Sequence, residues 1–177
     1  HKVMGIESGD GKLTAEQIRE VYSRHWTDES HEHIAQPKLV YISDSTEIGT
    51  IYTKNELKEI YKACKENDMY LFIDGARLGY ALASEDNDLD LKTIAENCDV
   101  LGGTKCGAMF GEALVILNNE LKKDFRYVIK QKGGMLAKGW LLGIQFDELL
   151  KDGLYFELAA HADKMAYKIK NAALEAG

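Results

Sequence analysis

Apolar positions recur along this chain in two rhythms. From Thr14 onward, Ile18, Val21, Tyr22 and Trp26 return every three or four residues, the spacing of one helix face. Thr14 and Gln17 fit the two ends of a capping box at its start. The same spacing in Leu57, Ile60, Tyr61 and Cys64 predicts a helix from Lys54 to Asn67, capped by Thr53. Leu91 to Cys98 predicts a short helix. Two or three more follow residue 117, ending in a long one through Ala159, Ala160, Asp163, Ala166, Ile169 and Leu174. The second rhythm is a continuous apolar run of strand length. It occurs at Lys38 to Ser43, Tyr70 to Asp74, Asp99 to Gly103 and Gly111 to Leu117, while polar Asp28 to Gln36 reads as a loop. Strands that are apolar throughout and alternate with helices predict an α/β fold, a mostly parallel sheet with helices on both faces.

That architecture selects residues, because ligands of such sheets bind beyond the carboxyl ends of the strands. Ser43 and Asp74 close two of the runs, and Lys105 lies just past a third. An aspartate directly after four apolar residues calls for a partner. Asp74 either caps a turn, pairs with Arg77, or holds a proton on a ligand's ring nitrogen while Arg77 faces an anion. Lys105 lies in Gly102-Gly103-Thr104-Lys105-Cys106-Gly107, a run of small residues that another molecule can approach closely. It is either a structural lysine on a glycine loop or an amine made nucleophilic by partial burial and neighbouring cations. Neither GxxxxGK[ST] nor GxGxxG is present. Together the two motifs fit pyridoxal phosphate, which needs a carboxylate on its pyridine nitrogen and a lysine in imine linkage with its aldehyde.

The sequence resembles the threonine aldolase and β-eliminating lyase group of pyridoxal phosphate enzymes, with the aspartate aminotransferase-like (type I) fold. The likeness is carried by Phe72-Ile73-Asp74-Gly75-Ala76-Arg77, by Gly102-Gly103-Thr104-Lys105 with Gly107, and by Gly111-Glu112-Ala113. It implies a lyase of β-hydroxy or β-substituted amino acids, threonine aldolase-like, cleaving threonine to glycine and acetaldehyde. β-Elimination is the alternative within the group; a non-catalytic interaction domain of the same fold is the alternative outside it. The intact Asp74, Arg77 and Lys105 set argues against the last. The resemblance implies Lys105 as the cofactor-binding lysine, Asp74 as the pyridine-nitrogen partner and Arg77 as the clamp for the substrate α-carboxylate. Thr104 and Thr46 fall near the cofactor by position, and Glu47 near the substrate.

Two departures from the group stand out. Its aldolases carry Glu-Asn-Thr-His before a glycine turn, the histidine lying near the substrate hydroxyl. Here the region reads Asp44-Ser45-Thr46-Glu47, so Glu47 takes the histidine's place. Where the group supplies an arginine to the cofactor phosphate from a neighbouring subunit, this chain has Lys130-Gln131-Lys132-Gly133-Gly134 and Lys138. The resemblance also implies that residues 1–150 are the cofactor-binding portion of a longer enzyme. Residues 151–177 would be a helix leading to a further domain, and the whole a homodimer or homotetramer.

Composition narrows the partners. With 29% charged and 45% hydrophobic residues in 177, the chain is an ordinary globule with room for a core. Net charge −7 argues against nucleic acid and anionic membranes, and no run of 18 apolar residues occurs. Cys64, Cys98 and Cys106 are odd in number with no CxxC spacing, which fits a reducing cytoplasm. Cys106 reads as small-residue packing, and His161 as a surface or edge histidine. His31-Glu32-His33 reads as a solvated loop rather than a metal site. Trp140, Leu141, Leu142, Ile144 and Phe146 read as a buried helix or a dimer surface.

Overall fold

The computed structural model describes residues 2–177. Four strands form one sheet in the order β1-β2-β3-β4: Leu39–Ser43, Tyr70–Asp74, Val100–Gly103 and Ala113–Ile116. β1, β2 and β3 run parallel; β4 returns antiparallel to β3. Seven helices accompany them: α1 Ala15–Thr27, α2 Lys54–Glu66, α3 Leu78–Ala83, α4 Leu91–Glu96, α5 Phe125–Gln131, α6 Trp140–Leu149 and α7 Leu154–Glu175.

The starts of α1 and α2 are built as their sequences predict. Thr14 and Gln17 exchange side-chain and backbone bonds, and Thr53 and Glu56 do the same, each satisfying donors the first turn leaves open. α2 buries Leu57, Ile60, Ala63 and Cys64 against β2 and α1. On α1 the buried aromatic is His25 rather than Trp26, which stays exposed and edges the rings of His25 and His31. The expected loop at 28–36 contains a 3-10 turn, His31–His33. Among the described residues no His, Cys, Asp and Glu group has the makings of a metal site.

Cover on both sheet faces is met only partially. Val40, Ile42, Leu71 and Ile73 point into one core with Leu57, Ile60, Leu78 and Ile94, contributed by α2, α3 and α4. On the opposite face of β1, Leu39 is 56% exposed and Tyr41 54% exposed. Topology explains the asymmetry. Right-handed crossovers between strands that advance in one direction lay every connecting helix on the same side. Of the two readings of α6, burial within this chain is not met. Trp140, Leu141 and Ile144 are more than half exposed, and only Leu149 of the helix is buried. α7 packs along α3 and lightly on α6. Among the described residues no helix is long and apolar enough to cross a membrane. Cys64, Cys98 and Cys106 are free and buried.

Candidate functional site

Three chain segments meet at the carboxyl ends of β1, β2 and β3, and backbone bonds tie them. Register pairs Ser43 with Asp74 and Asp74 with Gly102, so the three residues face the same side of the sheet. Beyond the last rungs, Asp44 N–H donates to Asp74 O at 3.0 Å and Gly75 N–H to Gly102 O at 2.8 Å. Lys105 N–H then donates to Ala76 O at 3.0 Å, which binds the lysine loop to the aspartate loop. Gly75 is required by this closure: a Cβ there would lie 2.6 Å from Gly102 O.

Asp74 stands where β2 ends, half-buried. Its Oδ1 accepts the Ala76 N–H at 2.9 Å, an aspartate turn that stops the strand. Its Oδ2 accepts the Tyr41 hydroxyl. Among the described residues no cation pairs with it, contrary to the expectation from its apolar flank. Tyr41 is the site residue that sequence reasoning missed. It faces the Asp74 side because Tyr41 pairs with Phe72, and the two rings stack at 5.2 Å with their planes 5° apart. Burial of the hydroxyl, reinforced by the Asp74 carboxylate, pushes Tyr41 up to about 12, so it remains a donor throughout the neutral range.

Arg77 turns to Glu47. Nη1 lies 2.9 Å from Oε1 and Nη2 lies 2.9 Å from Oε2, a two-pronged pair. The hydrogen bonds from Arg77, then its charge, hold the Glu47 carboxyl below its usual range; the Lys105 charge adds to this and Asp74 opposes it. Glu47 is presented by a tight turn. Thr46 N–H donates to Thr50 O at 2.9 Å, Thr50 N–H donates to Thr46 Oγ1 at 3.1 Å, and Gly49 turns through φ +87°. Thr46 is 4% exposed and its hydroxyl is engaged with Thr50 inside this turn. Beside it a cavity of about 310 Å³ is lined by Tyr41, Ser43, Thr46, Glu47 and Tyr52, among others.

Lys105 is exposed, not partly buried as expected, and Thr104 is half-buried. Directly after the lysine, Cys106 takes a left-handed φ of +61° and is 2% exposed. Its sulfur is wedged so near α3 that a Cβ on Gly79 would lie 2.9 Å away. The cysteine thus packs the lysine loop down, as its small neighbours suggest. His161 is exposed, as are Lys130 in the last turn of α5 and Lys132 and Lys138 on the connection from α5 to α6.

The residues present fit pyridoxal phosphate. One strand end offers a carboxylate fixed by two donors yet still open on its other lone pairs. The adjoining loop offers a free amine, and no atom lies within 4 Å of where a Gly103 Cβ would be.

Known proteins point the same way. The beta-eliminating lyase family model matches residues 2–176. A low specificity L-threonine aldolase of a Pseudomonas sp. is 38% identical over 167 residues, 93% of this chain and 47% of that protein. Its counterpart in Pseudomonas aeruginosa is 34% identical over 170 residues, with the same coverage. Threonine aldolase from Leishmania major superposes with a TM-score of 0.92 at 53% identity, over 99% of this chain and 51% of that one. The chain therefore spans about half the length of the relatives it matches. With a match from end to end and a strand-end aspartate and lysine loop bonded to one another, the chain belongs to the beta-eliminating lyase family.

Proposed function

We propose that the whole protein is a pyridoxal phosphate-dependent lyase of β-hydroxy or β-substituted amino acids, cleaving threonine to glycine and acetaldehyde. The observation that carries this reading is the Lys105 N–H to Ala76 O bond, which brings a lysine and an aspartate from separate strand ends to one crevice. When bound, pyridoxal phosphate supplies an electron sink for the pair left on the substrate's Cα. Asp74 would hold a proton on the ring nitrogen, with Tyr41 and the Ala76 N–H fixing the carboxylate's rotation. Lys105 Nζ would hold the cofactor and would supply the amine that carries a proton to or from the substrate's Cα. Arg77 grips the α-carboxylate and so aims the bond to be broken. Thr104 flanks the cofactor, and Thr46 shapes the turn that carries Glu47 toward the β-substituent. Cleavage of threonine breaks Cα–Cβ while the β-hydroxyl loses its proton, so a base must reach that proton. Glu47 is a weaker base than the histidine it replaces, because its usual range is lower and Arg77 lowers it further.

The division into a cofactor-binding body of residues 1–150 and a helix of residues 151–177, and assembly as a homodimer or homotetramer in the cytoplasm, belong to the same proposal. The apolar exposure of α6 supports the assembly. The decisive experiment is Lys105→Ala in the full-length protein. It is expected to lose the bound cofactor's visible absorbance and nearly all turnover while unfolding at an unchanged temperature, since Lys105 is exposed. An unaltered spectrum, with borohydride fixing the cofactor to another lysine, would remove Lys105 from its role. Assays with L-threonine, L-allo-threonine and serine then separate aldol cleavage from β-elimination.

A further inference from the structure

Arg77 already holds a carboxylate. Both Glu47 oxygens sit 2.9 Å from the two guanidinium nitrogens, the planar two-pronged contact that an amino-acid carboxylate would make. A second anion cannot take the same two nitrogens without displacing the first. We propose that Glu47 is an internal carboxylate that occupies Arg77 until the substrate's α-carboxylate displaces it, and that displacement frees Glu47 to face the substrate's β-substituent. The inference rests on reading Arg77 as the carboxylate clamp.

Three features suit Glu47 to this. Its side chain is 73% exposed and, among the described residues, its hydrogen bonds are to Arg77 alone. Its backbone is pinned by the Thr46–Thr50 bonds, so release needs only side-chain torsions. It borders the 310 Å³ cavity, into which it can turn. The charged groups facing it are Arg77 and Lys105, which attract it, and Asp74, which repels it. Leaving Arg77 removes the partner that lowers its basicity most, at the moment a base near the β-position is needed. The arrangement also discriminates. A ligand without a carboxylate has nothing to offer Arg77, leaves Glu47 in place, and so does not bring the base into play.

The experiment uses the full-length, cofactor-loaded protein and two probes followed by cofactor absorbance: glycine, and 2-aminoethanol, which lacks the carboxylate. Removing an exposed competitor is expected to tighten glycine roughly two- to five-fold in Glu47→Ala. Glu47→Gln should shift in the same direction, and 2-aminoethanol should bind all forms alike. Glycine binding that is unchanged or weaker in both variants overturns the proposal and leaves the clamp standing. Arg77→Ala is expected to weaken glycine roughly ten-fold or more without affecting 2-aminoethanol. If Arg77→Ala leaves glycine affinity untouched, the clamp reading itself falls, and this proposal with it.

Discussion

Both oxygens of the Asp74 carboxylate have a donor from the chain itself, and in its proposed role a ring nitrogen would share one of them. Each carboxylate oxygen accepts more than one hydrogen, so Tyr41 and a protonated ring can be served together. The Tyr41 hydroxyl then matters for aim rather than for affinity alone. Tyr41→Phe keeps the stack on Phe72 and removes only the hydroxyl. Cofactor affinity of the apo full-length protein, titrated by absorbance, is expected to weaken roughly five-fold, about one hydrogen bond to a charged group at partial exposure. The unfolding temperature should barely move. Equal affinity in the variant would mean that the Ala76 N–H suffices to orient Asp74. At this scale the sequence offered the candidates but not the pairings. Asp74, Arg77 and Lys105 stand out by type and position, and Glu47 through the resemblance. That Arg77 reaches thirty residues back to Glu47, and that Tyr41 reaches Asp74, depends on strand register, which no local pattern contains.

Among the elements, the two glycines at the β2 and β3 ends have unequal duties. A Cβ on Gly75 meets backbone, Gly102 O at 2.6 Å, whereas a Cβ on Gly102 meets Glu112 Oε1 at 2.8 Å, the far end of a flexible side chain. Gly75→Ala must therefore push the β2 and β3 ends apart, at about 1–3 kcal/mol. Gly102→Ala should cost little once Glu112 swings away. Thermal unfolding of the two variants checks the order, and equal losses would show that the strand ends yield more readily than their bonds suggest. The strands and the helices α1, α2 and α4 were legible, because apolar runs, helical spacing and the caps Thr14 and Thr53 are local signals. α3 was not. It has six residues and no side-chain cap, and it follows directly on Arg77, so too few positions recur to show a helical spacing. α6 was left with two readings for the opposite reason: dense apolar sequence predicts a covered helix, but it cannot say whether the covering surface lies in these 177 residues or on a partner.

The whole molecule is knotted at the end of the sheet opposite the site. Asp99, 1% exposed, accepts from Lys65 of α2 at 2.8 and 2.9 Å, from the Leu71 N–H of β2 at 2.8 Å, and from Asn118 beyond β4 at 2.8 Å. Burial pushes its carboxyl up, but these donors outweigh it and hold it below its ordinary value of 3.8. A depressed acid stabilises the fold above the unfolded value and ceases to do so as pH falls through the folded one. Asp99→Asn is expected to cost about 2–3 kcal/mol in urea unfolding at pH 7. The gap to the unmodified protein should begin to narrow as pH falls below 3.8 and go on narrowing as pH falls through the lower folded value; a gap that does not narrow would place the effect in packing instead. The monotonic order β1-β2-β3-β4, which left one face of β1 bare, bears on time as well as space. Each of β2, β3 and β4 pairs with the strand just before it in sequence, and among the described residues no later segment is inserted between neighbours. A chain emerging from the ribosome can therefore lay the sheet down in the order of synthesis, with the lysine loop arriving only after the aspartate loop that receives it has formed.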